Sequence, residues 1–348
     1  MASKVYFHKT NKSMNKKEIN NVVQKLLERF VEDNNIKLQK KVLMKVSFGE
    51  AGNKTFIPSD LMLGAINFLK DKKIKSGFIE TNVLYRGRRT NKKDHEELAR
   101  EHGFTQLPVI IADGDIGEDY ENVDIDKKHF KTCMIAKKIL DEKQLLVVSH
   151  FKGHTLSGFG GAIKQLGMGC ASRGGKLAQH AGSKPIINPL TCKKCYVCIK
   201  KCPVNAITMG RISAKISSKK CIGCAACIAA CPYGVIKINW LGSVNRFTEK
   251  LVEYAYAAHK KDNIYLTYAI DMTRGCDCEP KEMKAVTKDL GIFVSSDPVA
   301  SDRAILNLLK KREGKKVFRE KNTFKHAEKI GFGNVEYELI NIEKNKKN

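Results

Sequence analysis

Short unbroken apolar runs alternate along this chain with stretches whose apolar residues recur at helical spacing. Val109-Ile110-Ile111 and Leu145-Leu146-Val147-Val148 carry no polar interruption, the pattern of strands buried on both faces of a parallel sheet. Lys41 to Ser47, Gly77 to Glu80, Ile264 to Ile270 and Gly291 to Val294 also read as strands. Helices fall between them. Ser59-Asp60 suits the cap of a helix running to Leu69. Asn91 to His102 reads as a helix closed by Gly103. Asn245 to Lys260 is helical in pattern, and Ser296-Asp297-Pro298 opens a helix through Lys310, with Pro in the first turn. Val335 to Ile342 alternates apolar and polar residues and predicts an edge strand. Strands and helices thus alternate on both sides of a cysteine-rich stretch. The expectation is a discontinuous α/β domain with a mostly parallel sheet, residues 1–184 and 241–348, carrying a small inserted α+β domain at 185–240.

Composition narrows the function classes. The chain has 348 residues, with 42% apolar and 29% charged, enough to bury a sizeable core. No apolar run approaches the ~18 residues of a membrane span, and the N-terminus shows no export signal. The expected location is therefore cytoplasmic. Net charge is +26, which raises the question of nucleic acid or an anionic membrane. Lysine, however, is spread along the whole chain, with only a short basic tail at Lys344 to Asn348. Basic residues and aromatics do not interleave as single-strand binders require, so nucleic-acid binding is not expected. Twelve cysteines in a reducing compartment point to metal or redox chemistry before structural disulfides.

The cysteines are ordered. Cys192, Cys195, Cys198 and Cys202-Pro203 form one run, and Cys221, Cys224, Cys227 and Cys231-Pro232 repeat it 29 residues later. Both read C-x2-C-x2-C-x3-C-P, the bacterial two-cluster ferredoxin pattern, in which the fourth Cys of each run ligates the other run's cluster. One [4Fe–4S] cluster should take Cys192, Cys195, Cys198 and Cys231. The other should take Cys221, Cys224, Cys227 and Cys202. Each fourth Cys is expected where a helix begins, since the following Pro needs no donor there. The apolar segments after each Pro, Ala206 to Met209 and Val235 to Ile238, are expected to pair with one another as strands. Zinc modules use separated C-x2-C pairs, a poorer match to two identical runs. Clusters of this kind carry single electrons, so electron transfer follows, with a redox partner protein or an anionic small molecule at the other end.

A second concentration of chemistry follows the run ending at Val148. Ser149-His150-Phe151-Lys152-Gly153-His154 leads into a glycine-rich stretch, Gly158 to Cys170, that contains Lys164. Ligands of α/β sheets bind beyond the carboxyl ends of strands, and a glycine-rich turn opening a helix can offer N–H groups to an anion. His150, Lys152, His154 and Lys164 are the candidate catalytic residues, in a pocket for a carboxylate or phosphate with His as acid or base; Arg173, Lys176 and His180 follow closely. Tight packing of the glycines and internally bonded histidines would explain the same residues without a ligand. Neither a dinucleotide fingerprint nor a P-loop is present, because Ile163 and Asn53 break the spacings. Tyr85-Arg86-Gly87-Arg88-Arg89 can supply bidentate Arg contacts or simply be a solvated loop. Cys133 reads as core, and Cys170 closes the glycine-rich stretch. Cys276-Asp277-Cys278 can hold an extra metal with a nearby His, or a redox disulfide. Asp297 is read as a helix cap, with Glu50 and Asp271 at loop edges.

Three function classes compete: an electron-transferring oxidoreductase acting at the α/β domain, a non-catalytic ferredoxin-type carrier or adapter for a partner enzyme, and a nucleic-acid binder with structural clusters. The order of Thr81 to Thr90, Asp94-His95, Ser149 to His154, Gly158 to Gly169, the double cysteine run, Cys276 to Pro280 and Ser296 to Ala300 resembles the domain-of-unknown-function family 362, in versions with an inserted ferredoxin module. The resemblance covers nearly the whole chain. It implies an iron–sulfur protein, mostly of anaerobes, with no settled reaction. His154 with Gly158-Phe159-Gly160-Gly161 and Lys164 is also similar to a segment of the nickel-pincer lactate racemases, although no Ser follows Phe159 here. That similarity implies a cofactor tether at Lys164 and a metal near His154 or His180.

Overall fold

The computed structural model describes residues 2–180, 184–238 and 246–343. Its frame is an eight-stranded sheet built from β1 (Ser3–Lys9), β2 (Leu43–Lys45), β3 (Phe78–Glu80), β4 (Val109–Ile111), β5 (Leu145–His150), β6 (Ile264–Ala269), β7 (Gly291–Ser295) and β8 (Tyr337–Asn341), in the order β8-β1-β7-β6-β5-β2-β3-β4. All pairings are parallel except the two made by β7. The reason lies in the connection. Residues 270–290, between β6 and β7, contain no helix, and a parallel return in one sheet needs a crossover, usually helical. The alternating segment at the C-terminus is an edge strand, β8, as its pattern implies.

Alternate residues along each strand enter opposite cores. Val5, Leu43, Ile79, Leu145, Val147 and Phe293 face one layer, and Tyr6, Met44, Phe78, Leu146, Val148 and Val294 face the other. The second layer holds α1 (Lys16–Asp33), α2 (Leu63–Asp71) and α3 (Lys92–Glu101). The first holds α4 (Ala162–Gly167), α5 (Arg173–His180), α6 (Phe247–Ala258), α7 (Pro298–Glu313) and α8 (Thr323–Ile330). The result is a mixed α/β fold with a large, mostly parallel sheet between two helical layers.

Several local expectations are corrected. Ser59 and Asp60 do not cap a helix: Ser59–Met62 is a 3-10 turn, α2 starts at Leu63, and the Ser59 hydroxyl donates to the Gly103 carbonyl. Asp297 does cap α7, accepting from the Val299 and Ala300 amides. Asn245, Trp240 and the basic tail Lys344 to Asn348 lie outside the described residues, and α6 is seen from Phe247.

The described part of the cysteine-rich segment adds no strand to the sheet. Ile186–Ile187 pairs with Ile236–Lys237, and Ile207–Met209 pairs with Ala214–Ile216, both antiparallel. The segments after the two prolines therefore do not pair with each other. A turn of four residues, Gly210 to Ser213, lets the first fold back locally, so the second pairs with the start of the segment. Each fourth Cys follows a short helix (Val197–Lys200, Ala226–Ala230) instead of opening one. The proline after it, with no N–H to donate, helps to stop the helix.

Candidate functional site

The parallel strands β2, β3, β5 and β6 all end on one edge of the sheet, and a cavity of about 690 Å³ opens there. Ser47 follows β2, and Glu80 with Thr81 closes β3. A hairpin, Lys152–His154 with Gly158–Gly160, follows β5 and leads into α4 with Lys164. The loop after β6 brings Cys276, Asp277 and Cys278 across the opening. Gly153 is needed for that approach: it donates from its amide to Thr273 O at 2.8 Å, and a Cβ would collide with the Arg274 carbonyl.

Lys152, His154 and Lys164 line this cavity together with Lys176 and His180. His150 does not. It lines a neighbouring space of about 390 Å³, with Nδ1 at 3.1 Å from Asp277 and Nε2 at 3.0 Å from the Ile270 carbonyl. Asp277 also binds the Lys152 ammonium. The pair His150–Asp277 thus fixes Lys152 and the cysteine loop. Burial opposes the Asp277 charge, but Lys152 and His150 outweigh it and hold the carboxyl well below the usual range.

The glycine-rich turn does not offer its amides to an anion. The N–H groups of Ala162 and Ile163 donate to Asp302 at 2.8 and 3.0 Å. That carboxylate takes the place an anion was expected to fill. Arg173 is likewise buried in the scaffold, bonded to the Ile116 and Thr90 carbonyls. In the Tyr85 to Arg89 loop only Tyr85 and Arg89 reach the cavity. Arg89 is paired with buried Glu50 at 3.1 Å, and Arg88 pairs with Glu101 at the surface.

Lys176 stands out among the cations. It is buried, and its Nζ donates to Thr81 Oγ1 and the Ala171 carbonyl, both at 2.6 Å. Among the described residues no carboxylate lies within ion-pair distance of it, whereas Lys45, Arg89 and Lys152 each have one. Burial lowers its pKa to about 8. Burial also holds His154 well below the usual histidine range, with Lys164 adding to the effect, and brings His180 to about 4. Both imidazoles are neutral at pH 7.

Across the cavity, the Lys164 ammonium lies 3.3 Å from the Cys276 sulfur. A hydrogen bond shared with Cys278 pulls the Cys276 thiol well below its usual range, against burial, and Lys164 and Lys152 help. The same bond, with burial, pushes Cys278 well above it. His154, Cys276 and Cys278 place one ligand atom each within 4.8 Å of one another. Cys133 and Cys170 sit in the core, and burial raises both thiols, Cys170 to about 11.

The eight repeated cysteines line two further spaces. One, about 330 Å³, is walled by Cys192, Cys195, Cys198 and Cys231, and the other, about 320 Å³, by Cys202, Cys221, Cys224 and Cys227. The two loops share an unusual backbone. Left-handed φ angles occur at Lys194 (51°), Tyr196 (61°) and Asn205 (50°), and again 29 residues later at Gly223 (74°), Ala225 (60°) and Gly234 (62°). The second loop leans on the α/β domain. Ala225 and Ile238 pack with Leu177 of α5 and with Leu84, which also lines the 690 Å³ cavity.

The sequence matches the model of the domain of unknown function DUF362 over residues 42–307. The chain belongs to the DUF362 family. That match spans β2 to the middle of α7, including the cysteine-rich segment, so the DUF362 region contains both the cavity and the repeated loops. No curated protein matches the chain. Among solved structures it is similar to a Thermotoga maritima protein from a structural genomics consortium (12% identity, TM-score 0.45, 87% of this chain and 60% of that one). It is also similar to the lactate racemase apoprotein of Thermoanaerobacterium thermosaccharolyticum (14% identity, TM-score 0.44, 87% and 57%). This DUF362 chain therefore spans less than two thirds of the length of either. No helix among its described residues is long and apolar enough to cross a membrane.

Proposed function

We propose that this protein is an iron–sulfur oxidoreductase: residues 185–238 hold two [4Fe–4S] clusters, and the cavity of the α/β domain takes an anionic small molecule. The observation that carries the reading is the composition of the two thiol-lined spaces. Each gathers three cysteines of one run and the fourth of the other, the ligand exchange a two-cluster module requires. The repeated left-handed positions support it. Tyr196 and Ala225 are not glycines, and such residues cost roughly 1–3 kcal/mol each, a strain that clusters at functional sites. Bound there, the clusters supply one-electron transfer.

The chain's own residues set the direction. Cys195 is exposed, as are Leu190, Tyr196 and Tyr233 near it, which suits docking of a redox partner protein. The loop of Cys221, Cys224 and Cys227 is the one against Leu177 and Leu84. Electrons would enter at the exposed loop and leave through the inner one. At the cavity, Lys176 supplies the charge that attracts an anion, Lys152 is held ready by Asp277, and the His154 imidazole lines the same wall.

Anoxic purification tests the reading. About eight iron and eight sulfide per chain are expected, with a paramagnetic signal after dithionite. A colourless protein without iron would refute it. Clusters with no anion binding at the cavity would favour the carrier or adapter.

A further inference from the structure

We propose that His154, Cys276 and Cys278 form a mononuclear site for a borderline-soft divalent transition-metal ion, separate from the iron–sulfur motif, with one coordination position open to the cavity. Three ligand atoms of suitable type already converge within 4.8 Å. Two thiolates at ~2.3 Å and an imidazole nitrogen at ~2.0 Å make the three-ligand set of catalytic zinc-type sites, which leave a fourth position for water or substrate. Thiolate and imidazole select such ions over magnesium or calcium.

The surroundings fit a built site. The Ser157 hydroxyl donates to the Phe159 carbonyl and lies 2.9 Å from His154 Nδ1, whose proton it can accept. That tautomer leaves Nε2 as the ring nitrogen for the metal and fixes the ring. The cysteine loop is pinned on both sides. The Tyr85 hydroxyl donates to the Cys278 carbonyl at 2.9 Å, and the Cys276 amide donates to Glu279 at 3.1 Å. Asp277, between the two cysteines, points away to Lys152 and His150. The charges also balance. Two thiolates and a neutral imidazole cancel a divalent ion, and Lys164, 3.3 Å from the Cys276 sulfur, keeps the site positive toward an incoming anion. The ligand class is a small anion with an oxygen donor, bound to the ion and to Lys176.

The test is a cobalt(II) titration of the full chain, reduced and anoxic, with iron and sulfide measured on the same samples. Wild type should bind about one cobalt per chain more than Cys276→Ser/Cys278→Ser, with the ligand-field bands of tetrahedral thiolate coordination. His154→Gln should weaken that binding at least tenfold and serves as the second test should the double variant not fold. Azide should shift the bands by entering the open position. Equal cobalt in wild type and both variants overturns the site, and bands indifferent to azide overturn its open position. Iron reports on the other reading separately: the clusters can fail while Cys276-dependent cobalt remains, and the reverse.

Discussion

At the scale of single residues, the cavity is defined by groups whose burial changes their chemistry. Lys176 is a buried ammonium with no carboxylate at ion-pair distance among the described residues. The Asp113 and Glu80 charges act on it from farther off without offsetting its burial, and a bound anion would relieve the remaining cost. Small carboxylates at low millimolar concentration should therefore raise the unfolding midpoint of the wild type, by the ordinary linkage of ligand to the native state. Lys176→Met should abolish that rise while leaving the unliganded protein as stable or more so. A midpoint in this variant that still climbs with carboxylate would refute the assignment. Gly153 is the second such residue. Gly153→Ala should cost about 1–3 kcal/mol, the usual penalty of overpacking, because a methyl group meets the Arg274 carbonyl. Denaturant unfolding would measure it.

At the scale of elements, α4 is only six residues long and is held from outside. Asp302 on α7 binds its first two amides, and Gly161 is required because a Cβ would strike that carboxylate. Asp302→Ala should cost about 1–2 kcal/mol, like other lost caps, and loosen Lys164. The same group predicts a pH dependence. Burial raises the Asp302 carboxyl from 3.8 to about 7, although the two amides oppose the shift. Between those values the folded state holds a proton that the unfolded state has lost, so stability falls as pH rises from about 4 to 7. Asp302→Asn should flatten this part of the profile. An unchanged slope in pH-dependent unfolding would show that other groups set it.

At the scale of the whole molecule, the question is how the cysteine-rich segment is coupled to the cavity. Its inner loop meets the α/β domain through Leu177, Leu84, Ala225 and Ile238. Leu177→Ala should destabilise this contact by about 2–5 kcal/mol. Hydrogen exchange should then rise in residues 184–238 and stay slow in β5 and β6. Uniform loosening of both regions would mean that the segment and the sheet unfold as one unit.

Much of the molecule was legible in the sequence. The unbroken run Leu145 to Val148 is buried on both faces, whereas Val109-Ile110-Ile111, with the same pattern, forms the edge strand β4 and leaves Val109 and Ile110 half-buried, because an edge position is a matter of strand order. Asp297-Pro298 caps a helix by chemistry local to those residues. Other legible signals lay near the N-terminus: Asn15 and Glu18 form a capping box, and Ile19, Val22, Val23, Leu26, Leu27 and Phe30 follow helical spacing, so α1 could be read directly. The placement of β1 between β7 and β8 could not, because strand order is set by packing of distant segments. The candidate residues were legible by type, but their grouping was not. His150 and His154 are four residues apart, yet one is locked to Asp277 and the other faces the cavity. Lys176, Cys276 and Cys278 meet only because β3, β5 and β6 end on the same edge. Residue chemistry and local periodicity belong to the sequence itself. Which buried cation lacks a carboxylate at ion-pair distance, and which thiols face an imidazole, was decided by contacts between segments far apart in the chain, such as Lys176 with Thr81 and His154 with the Cys276 to Cys278 loop.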